Sequence, residues 1–351
     1  MKILYGVPSE GMGHATRSKV VIQHLLSNGH EVRVVSSDRA FLFLQKHFGE
    51  RVIQIEGFHL AYKNAQVSLR STVLLNLKHA PKQVVKNFAA YTKLLDVIRF
   101  DLVISDFESF SHFFAKTNRI PFVSIDNMQV INRATLDIEI PKEEKTNYLL
   151  ARNIIKAKVP GAMEYFITSF FCPPLKKEKS IYVSPIIRDE ILNTKPSVKD
   201  HIVVYQTSSS QKDLIQVLQK ISRETFIVYG FNKDESHGNV TLKAFSEKSF
   251  ISNFASAKAV IANGGFSFIS EAVYLQKPVC CVPIKNQFEQ FVNAAYIEKL
   301  RYGRHFNEFN EDRIKAFLYD LPLFTKSLAD YIHHGNKALF DGLNEVFKKL
   351  G

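Results

Sequence analysis

Two successive series of short, β-rich apolar runs, each parted from the next by a helical or loop stretch, constrain this chain more than any other feature. The first series reads as strands at 2–7, 31–36, 51–55, 101–105, 122–125 and 166–171, with a short strand at 181–183. The second reads as strands at 201–205, 226–229, 240–245, 259–262 and 279–282, with helices starting near 211, 249, 266 and 287. Strands that alternate with helices predict parallel sheets covered on both faces. The expected class is therefore α/β, with two Rossmann-like, doubly wound parallel-sheet domains. A length of 351 residues also exceeds what one hydrophobic core usually supports. The proline- and lysine-rich texture between 172 and 200 reads as a connection, which puts the expected domains at 1–187 and 188–330. Residues 331–351, helical in pattern, are expected to pack back on the first domain.

Hydrophobic residues make up 46% of the chain and charged residues 23%, so a folded protein is expected rather than a disordered one. The opening stretch turns polar after one short apolar run and lacks the features of a signal peptide. No run approaches the roughly 18 apolar residues of a spanning helix. Cys280 and Cys281 lie side by side in an apolar run, which suits buried thiols in a reducing compartment. The expected location is the cytoplasm. A net charge of +12 calls for an anionic partner, and 58–100 concentrates it: Lys63, Arg70, Lys78, Lys82, Lys86, Lys93 and Arg99 stand against Asp96 alone. Between 82 and 99 apolar residues recur at helical spacing, which fits either the core face of a surface helix or a basic amphipathic helix on an anionic membrane.

In the second half, Asn263-Gly264-Gly265 ends a strand immediately before the helix that Phe266 opens. Glycines allow close backbone approach, and the first N–H groups of a helix lack intrahelical partners, so a diphosphate can be held there. Ser267 adds a hydroxyl. Glu271, one turn further on, can accept both hydroxyl protons of a ribose. An ordinary βα turn with a solvated Glu271 explains the same spacing equally well. Glu289 and Gln290 enter the next helix at the carboxyl edge of the sheet, where they can bond sugar hydroxyls or merely decorate the first turn. Thr207, Ser208, Ser209 and Ser210 close the first strand of this half and offer donors to phosphate, or a helix N-cap.

In the first half, Gly11-Met12-Gly13-His14 follows the first strand and opens the first helix. The two glycines leave room on the acceptor side, and the positive end of a helix disfavours imidazolium, so His14 is a candidate proton acceptor. A structural histidine at a helix N-terminus is the alternative. Asp106 ends another strand of the same sheet and can orient His14, with Glu108 a rival for that role and helix capping the plainer reading of Asp106. No D-x-D triplet occurs, so the metal-bridging carboxylate pair has no candidate; neither metal nor cofactor is expected.

Taken together, these motifs make the chain similar to the nucleotide-sugar glycosyltransferases that include MurG-type and UDP-glucuronosyltransferase-like enzymes, over nearly its whole length. The resemblance implies the GT-B fold, two domains facing a central cleft. It implies that Asn263, Gly265, Ser267 and Glu271 grip the nucleotide and that Glu289 and Gln290, followed by Asn293 and Ala294, contact the donor sugar. It also makes His14 the base. The implied activity is metal-independent transfer of a sugar, with inversion, from a UDP donor to an acceptor hydroxyl, with uracil read by backbone near 245–249. Lipid-linked acceptors among these relatives suggest a cell-envelope glycan precursor and a peripheral place on the inner membrane face. Two departures stand out: Asn263 replaces a common histidine or arginine, and the serine-rich loop lacks the usual glycines. A UDP-sugar epimerase of the same fold and a non-enzymatic basic binding protein are the rival readings. No nucleic acid is expected as partner, because the basic residues follow no RNP, zinc-finger or helix-turn-helix pattern.

Overall fold

A computed structural model describes residues 1–9, 11–57, 62–63, 66–67, 84–95, 99–206 and 213–351. The described chain forms two compact units. In the first, β1 (Lys2–Val7), β2 (Glu31–Ser36) and β3 (Val52–Gln54) precede a separate two-stranded ribbon, β4 (Tyr62–Lys63) and β5 (Gln66–Val67), of which Lys63–Val67 are grouped with the second unit. Then come β6 (Leu102–Ser105), β7 (Phe122–Asp126), β8 (Glu164–Thr168) and β9 (Ser180–Val183). One seven-stranded sheet has the order β3-β2-β1-β6-β7-β8-β9, every neighbour parallel. Its helices are α1 (Met12–Ser27), α2 (Asp38–Phe48), α3 (84–95), α4 (Ser109–Thr117), α5 (Gln129–Arg133) and α6 (Lys145–Lys158).

Ile3, Leu4, Tyr5 and Val7 are fully buried, as a central parallel strand covered on both faces requires. Val21, Ile22 and Leu25 bring one stripe of α1 into the same core. The α1 helix stops at Asn28, and Gly29 follows in the left-handed region at φ +78°, where glycine costs least. Gly6 has a different reason. A Cβ there would lie 2.0 Å from Ser111 Oγ, so the α4 turn passes directly over the strand.

The second unit holds α7 (Asp189–Leu192), β10 (His201–Tyr205), α8 (Leu214–Gln219), β11 (Thr225–Tyr229), β12 (Glu235–His237), β13 (Val240–Lys243), α9 (Glu247–Ser256) and β14 (Ala259–Ala262). After these run α10 (Phe266–Tyr274), β15 (Val279–Cys281), α11 (Phe288–Lys299), β16 (Gly303–His305), α12 (Glu311–Tyr319) and α13 (Leu321–Ala329). The sheet order is β12-β13-β11-β10-β14-β15-β16, parallel except for the edge hairpin β12–β13. The final helix, α14 (Lys337–Leu350), belongs to the first unit: Leu339, Leu343 and Val346 enter its core, and Asn336 bonds both backbone groups of Ile187.

Several expected bounds shift. The strand expected at 166–171 is β8, which starts at Glu164 and ends at Thr168; Ser169 then closes a local turn by accepting from the Phe171 N–H with its Oγ. The strand expected at 240–245 ends at Lys243, where Asp234 and Asn232 side chains accept from the N–H groups of Ala244 and Phe245. The helical pattern of 323–351 is two helices, parted at 330–336, with Gly335 in the left-handed region. The expected helix start near 211 and the loop of Thr207, Ser208, Ser209 and Ser210 lie outside the described residues. Cys280 and Cys281 are buried and unbridged, and burial pushes the Cys280 thiol up to about 12. Among the described residues no helix is long and apolar enough to cross a membrane.

Candidate functional site

In both sheets strand order reverses beside the first strand of the unit, between β1 and β6 and between β10 and β14. Open α/β sheets bind ligands at the carboxyl edge of such switch points. At the first one, Gly11 lies in the left-handed region at φ +84°, and Gly13 and His14 fall in the first turn of α1. Asp106 directly follows β6. His14 Nδ1 stands 2.9 Å from Asp106 Oδ1, and Asp106 is 1% exposed against 15% for the imidazole.

More than a dyad is present. Arg17 donates from Nε to Asp106 Oδ2 at 2.9 Å, contacts Oδ1 with Nη2, and donates from Nη1 to Asn127 Oδ1 at 2.9 Å. Ser18 Oγ donates to Oδ2 at 3.0 Å. Burial alone would push the Asp106 pKa up, but the charges and hydrogen bonds of Arg17 and His14 outweigh it and hold the carboxyl well below the usual carboxylate range. Glu108 has the other task. Its carboxylate accepts from the N–H groups of Phe110 and Ser111 at 2.7 and 2.6 Å and so caps α4. Between the two acids, Asp106 faces the histidine and Glu108 caps the helix.

Asp126 ends β7 beside this network. Burial pushes its carboxyl up to about 6, against bonds from Ser124 Oγ at 2.6 Å and the Gln129 N–H at 2.9 Å. A carboxyl with a raised folded pKa binds its proton more tightly folded than unfolded. Its stabilising contribution is complete below the ordinary value of 3.8 and is lost as pH rises toward 6. Asp126→Asn, which retains the size and an acceptor, is therefore expected to exceed wild type at pH 8 by on the order of 1–3 kcal/mol and to match it near pH 4. Urea unfolding at the two pH values checks this; an equal difference at both would refute it.

At the second switch point, Gly264 adopts φ +95°, and a Cβ there would lie 2.9 Å from the Gln290 carbonyl. Gly265 is the N-cap of α10, with no side-chain cap and nothing within 4 Å of its Cβ position. Phe266 is buried, Ser267 is partly exposed and Glu271 is 7% exposed on the same side of α10. Asn263 and Gln290 turn inward. Asn263 Nδ2 donates to the Val282 carbonyl at 3.2 Å, and Gln290 Oε1 accepts from the Ile284 N–H at 2.9 Å. Asn293 Nδ2 donates to the Gly264 carbonyl at 3.0 Å, so these amides hold the turn in shape. Glu289 stays partly exposed in the first turn of α11.

A cavity of about 700 Å³ opens within the first unit at the same sheet edge as His14. Pro8 and Ser9 after β1, Ser37 after β2, and Glu56 and Gly57 after β3 form its floor, with Val84, Phe88 and Tyr91 of α3 and Phe110 and Phe113 of α4 as walls. Ser37 Oγ is buried there without a partner among the described residues. The apolar stripe of α3 divides rather than forming one core face: Leu94 is 1% exposed, while Val84, Val85, Phe88 and Leu95 are largely exposed. Of the expected basic surface, Lys86 pairs with Glu56 at 2.5 Å. Arg70, Lys78, Lys82, Asp96 and the Lys63 side chain lie outside the described residues.

Arg17, Asn127 and the cavity were missed by sequence reasoning. Arg17 lies three residues after His14, on the same helix face, which is the one signal that could have singled it out. Asn127 and the cavity walls had none, since only the sheet order brings them together.

Two doubly wound units of this topology define the GT-B glycosyltransferase fold, and solved structures share it. The glycotransferase of kitacinnamycin superposes with a TM-score of 0.68 at 14% identity, covering 98% of each chain. The calicheamicin glycosyltransferase CalG4 gives 0.66 at 15% identity, covering 98% of this chain and 97% of its own. The chain itself belongs to glycosyl transferase family 1, which residues 1–322 match, and it is a transferase enzyme. Relatives described as uncharacterized glycosyltransferases occur in Methanosarcina acetivorans and Methanosarcina mazei. Each is 25% identical, over 332 and 326 residues, covering 87% of this chain and 85% of the relative.

Proposed function

We propose that this glycosyltransferase moves a sugar, with inversion and without a metal, from a UDP-activated donor to a hydroxyl on an acceptor of largely apolar body. The observation that carries the reading is the His14–Asp106 contact at the switch point of the first sheet. With Nδ1–H held by Asp106, Nε2 takes the acceptor hydroxyl proton as that oxygen bonds to the anomeric carbon. The bond from that carbon to the donor phosphate breaks, and the nucleoside diphosphate leaves with the electron pair. Its growing charge falls to the uncapped N-terminus of α10 and to Ser267, with Glu271 on the ribose and Glu289 beside the sugar. Asn263 and Gln290 shape the turn in this reading.

The acceptor reading is supported by the aromatic and aliphatic walls of the cavity and by the unpartnered Ser37 hydroxyl at its floor. The exposed apolar residues of α3 fit a lipid-linked acceptor presented at a membrane face. Thermal melting against UDP, GDP, dTDP and CDP tests the donor half. UDP is expected to raise the melting temperature of wild type and to do so far less in Glu271→Ala. Stabilisation by another base instead would overturn the UDP assignment, and an undiminished shift in the variant would remove Glu271 from the site. Product analysis without acceptor distinguishes transfer from epimerisation of the donor sugar.

A further inference from the structure

Arg17 is 4% exposed and holds Asp106 and Asn127 while its Nη2 lies 2.8 Å from His14 Nδ1. That ring nitrogen therefore has two neighbours of opposite kind. Ionised Asp106 only accepts, and the guanidinium only donates. If Nδ1 carries the proton, it serves Asp106 and leaves the Nε2 lone pair open to an acceptor hydroxyl. If Nδ1 carries the lone pair, it serves Arg17 and the proton sits on Nε2, where no base is left.

We propose that Arg17 is a positioning residue for the transfer reaction: it clamps both oxygens of Asp106 against His14, so that the imidazole keeps Nδ1 turned to the carboxylate and Nε2 open. The proposal rests on the reading of His14 as the base. An unclamped carboxylate could turn away from Nδ1, and the ring would then be free to place its proton on Nε2; held by Arg17, Asp106 keeps the tautomer with Nε2 open. Among the described residues, Ser18 lies on α1, Glu108 is occupied at the start of α4, Asp126 ends β7 and Asn127 follows it. From β1 comes the Tyr5 hydroxyl, whose pKa burial and Asp106 both raise, so it stays neutral.

The test uses the full chain labelled with ¹⁵N-histidine, with the His14 ring signals assigned by their loss in His14→Gln. At neutral pH the ring ¹⁵N shifts of wild type are expected to report the Nδ1–H tautomer, and Arg17→Met and Asp106→Asn each to lose that preference. Arg17→Lys, which retains charge without the planar fork, is expected to stay nearer the wild-type tautomer pattern while losing turnover. UDP release from a UDP-hexose probe should fall in Arg17→Met and in Asp106→Asn. An unchanged tautomer pattern in Arg17→Met, with or without a fall in melting temperature, would make Arg17 a structural residue and overturn the proposal. Turnover retained by His14→Gln sinks the base reading itself; an inactive His14→Gln beside an unchanged pattern in Arg17→Met sinks only the role of Arg17.

Discussion

Replacing His14 with glutamine is expected to slow transfer by about 10²–10⁴-fold while leaving the fold intact. The amide retains size and polarity but cannot take a proton from an acceptor hydroxyl at neutral pH. Stability should change little, because the buried charge of Asp106 remains paired with Arg17 and bonded by Ser18. Binding of both substrates should also survive, so the loss belongs in kcat rather than KM. Initial rates at saturating donor and acceptor, beside thermal melts of the two proteins, check this. Wild-type kcat in a folded His14→Gln protein would exclude the imidazole from the chemistry.

Gly6→Ala is expected to be the most damaging single-methyl change near the site, costing about 2–4 kcal/mol. The added carbon would fall 2.0 Å from Ser111 Oγ, 2.5 Å from Ser111 Cβ and 2.9 Å from Glu108 Oε2. None of these atoms is a loose side-chain end, since Glu108 is fastened to two backbone N–H groups and Ser111 lies in the first turn of α4. Relief requires α4 to lift from β1, which would move the wall that Phe110 and Phe113 give the cavity and the turn that carries Asp106. Denaturant unfolding measures the first loss and acceptor KM the second. A variant as stable as wild type would mean that α4 shifts freely over the sheet.

How much was legible follows from which interactions are local. The runs at 2–7 and 201–205 could be placed as strands to the residue because, after one polar residue each, they are continuous non-polar and aromatic runs, as central parallel strands are. Strand β16 went unread: Gly303, Arg304 and His305 carry no β-rich signature, and the strand exists because it pairs with Val279–Cys281. The break between α13 and α14 was hidden for a similar reason. Apolar spacing continues through 323–351, while the split is enforced by separate cores, Phe324 in one unit and Leu339 with Leu343 in the other. Glycine turns at Gly11 and Gly264 announced the two loops, whereas the inward turn of Asn263 and Gln290 depends on carbonyls supplied by other segments.

The sequence by itself determined the class of the fold, the order of its elements and the two loops where chemistry is expected, because periodicity, glycine and helix-start signals act over a few neighbours. Tertiary structure alone decided which acid meets His14, that Arg17 and Asn127 join them, and that aromatic residues of α3 and α4 enclose a cavity beside them. Asp106 and Glu108 are two residues apart and chemically alike. What separates their roles is the hydrogen-bonded pairing of β1 with β6, which carries Asp106 to a helix 92 residues earlier in the chain.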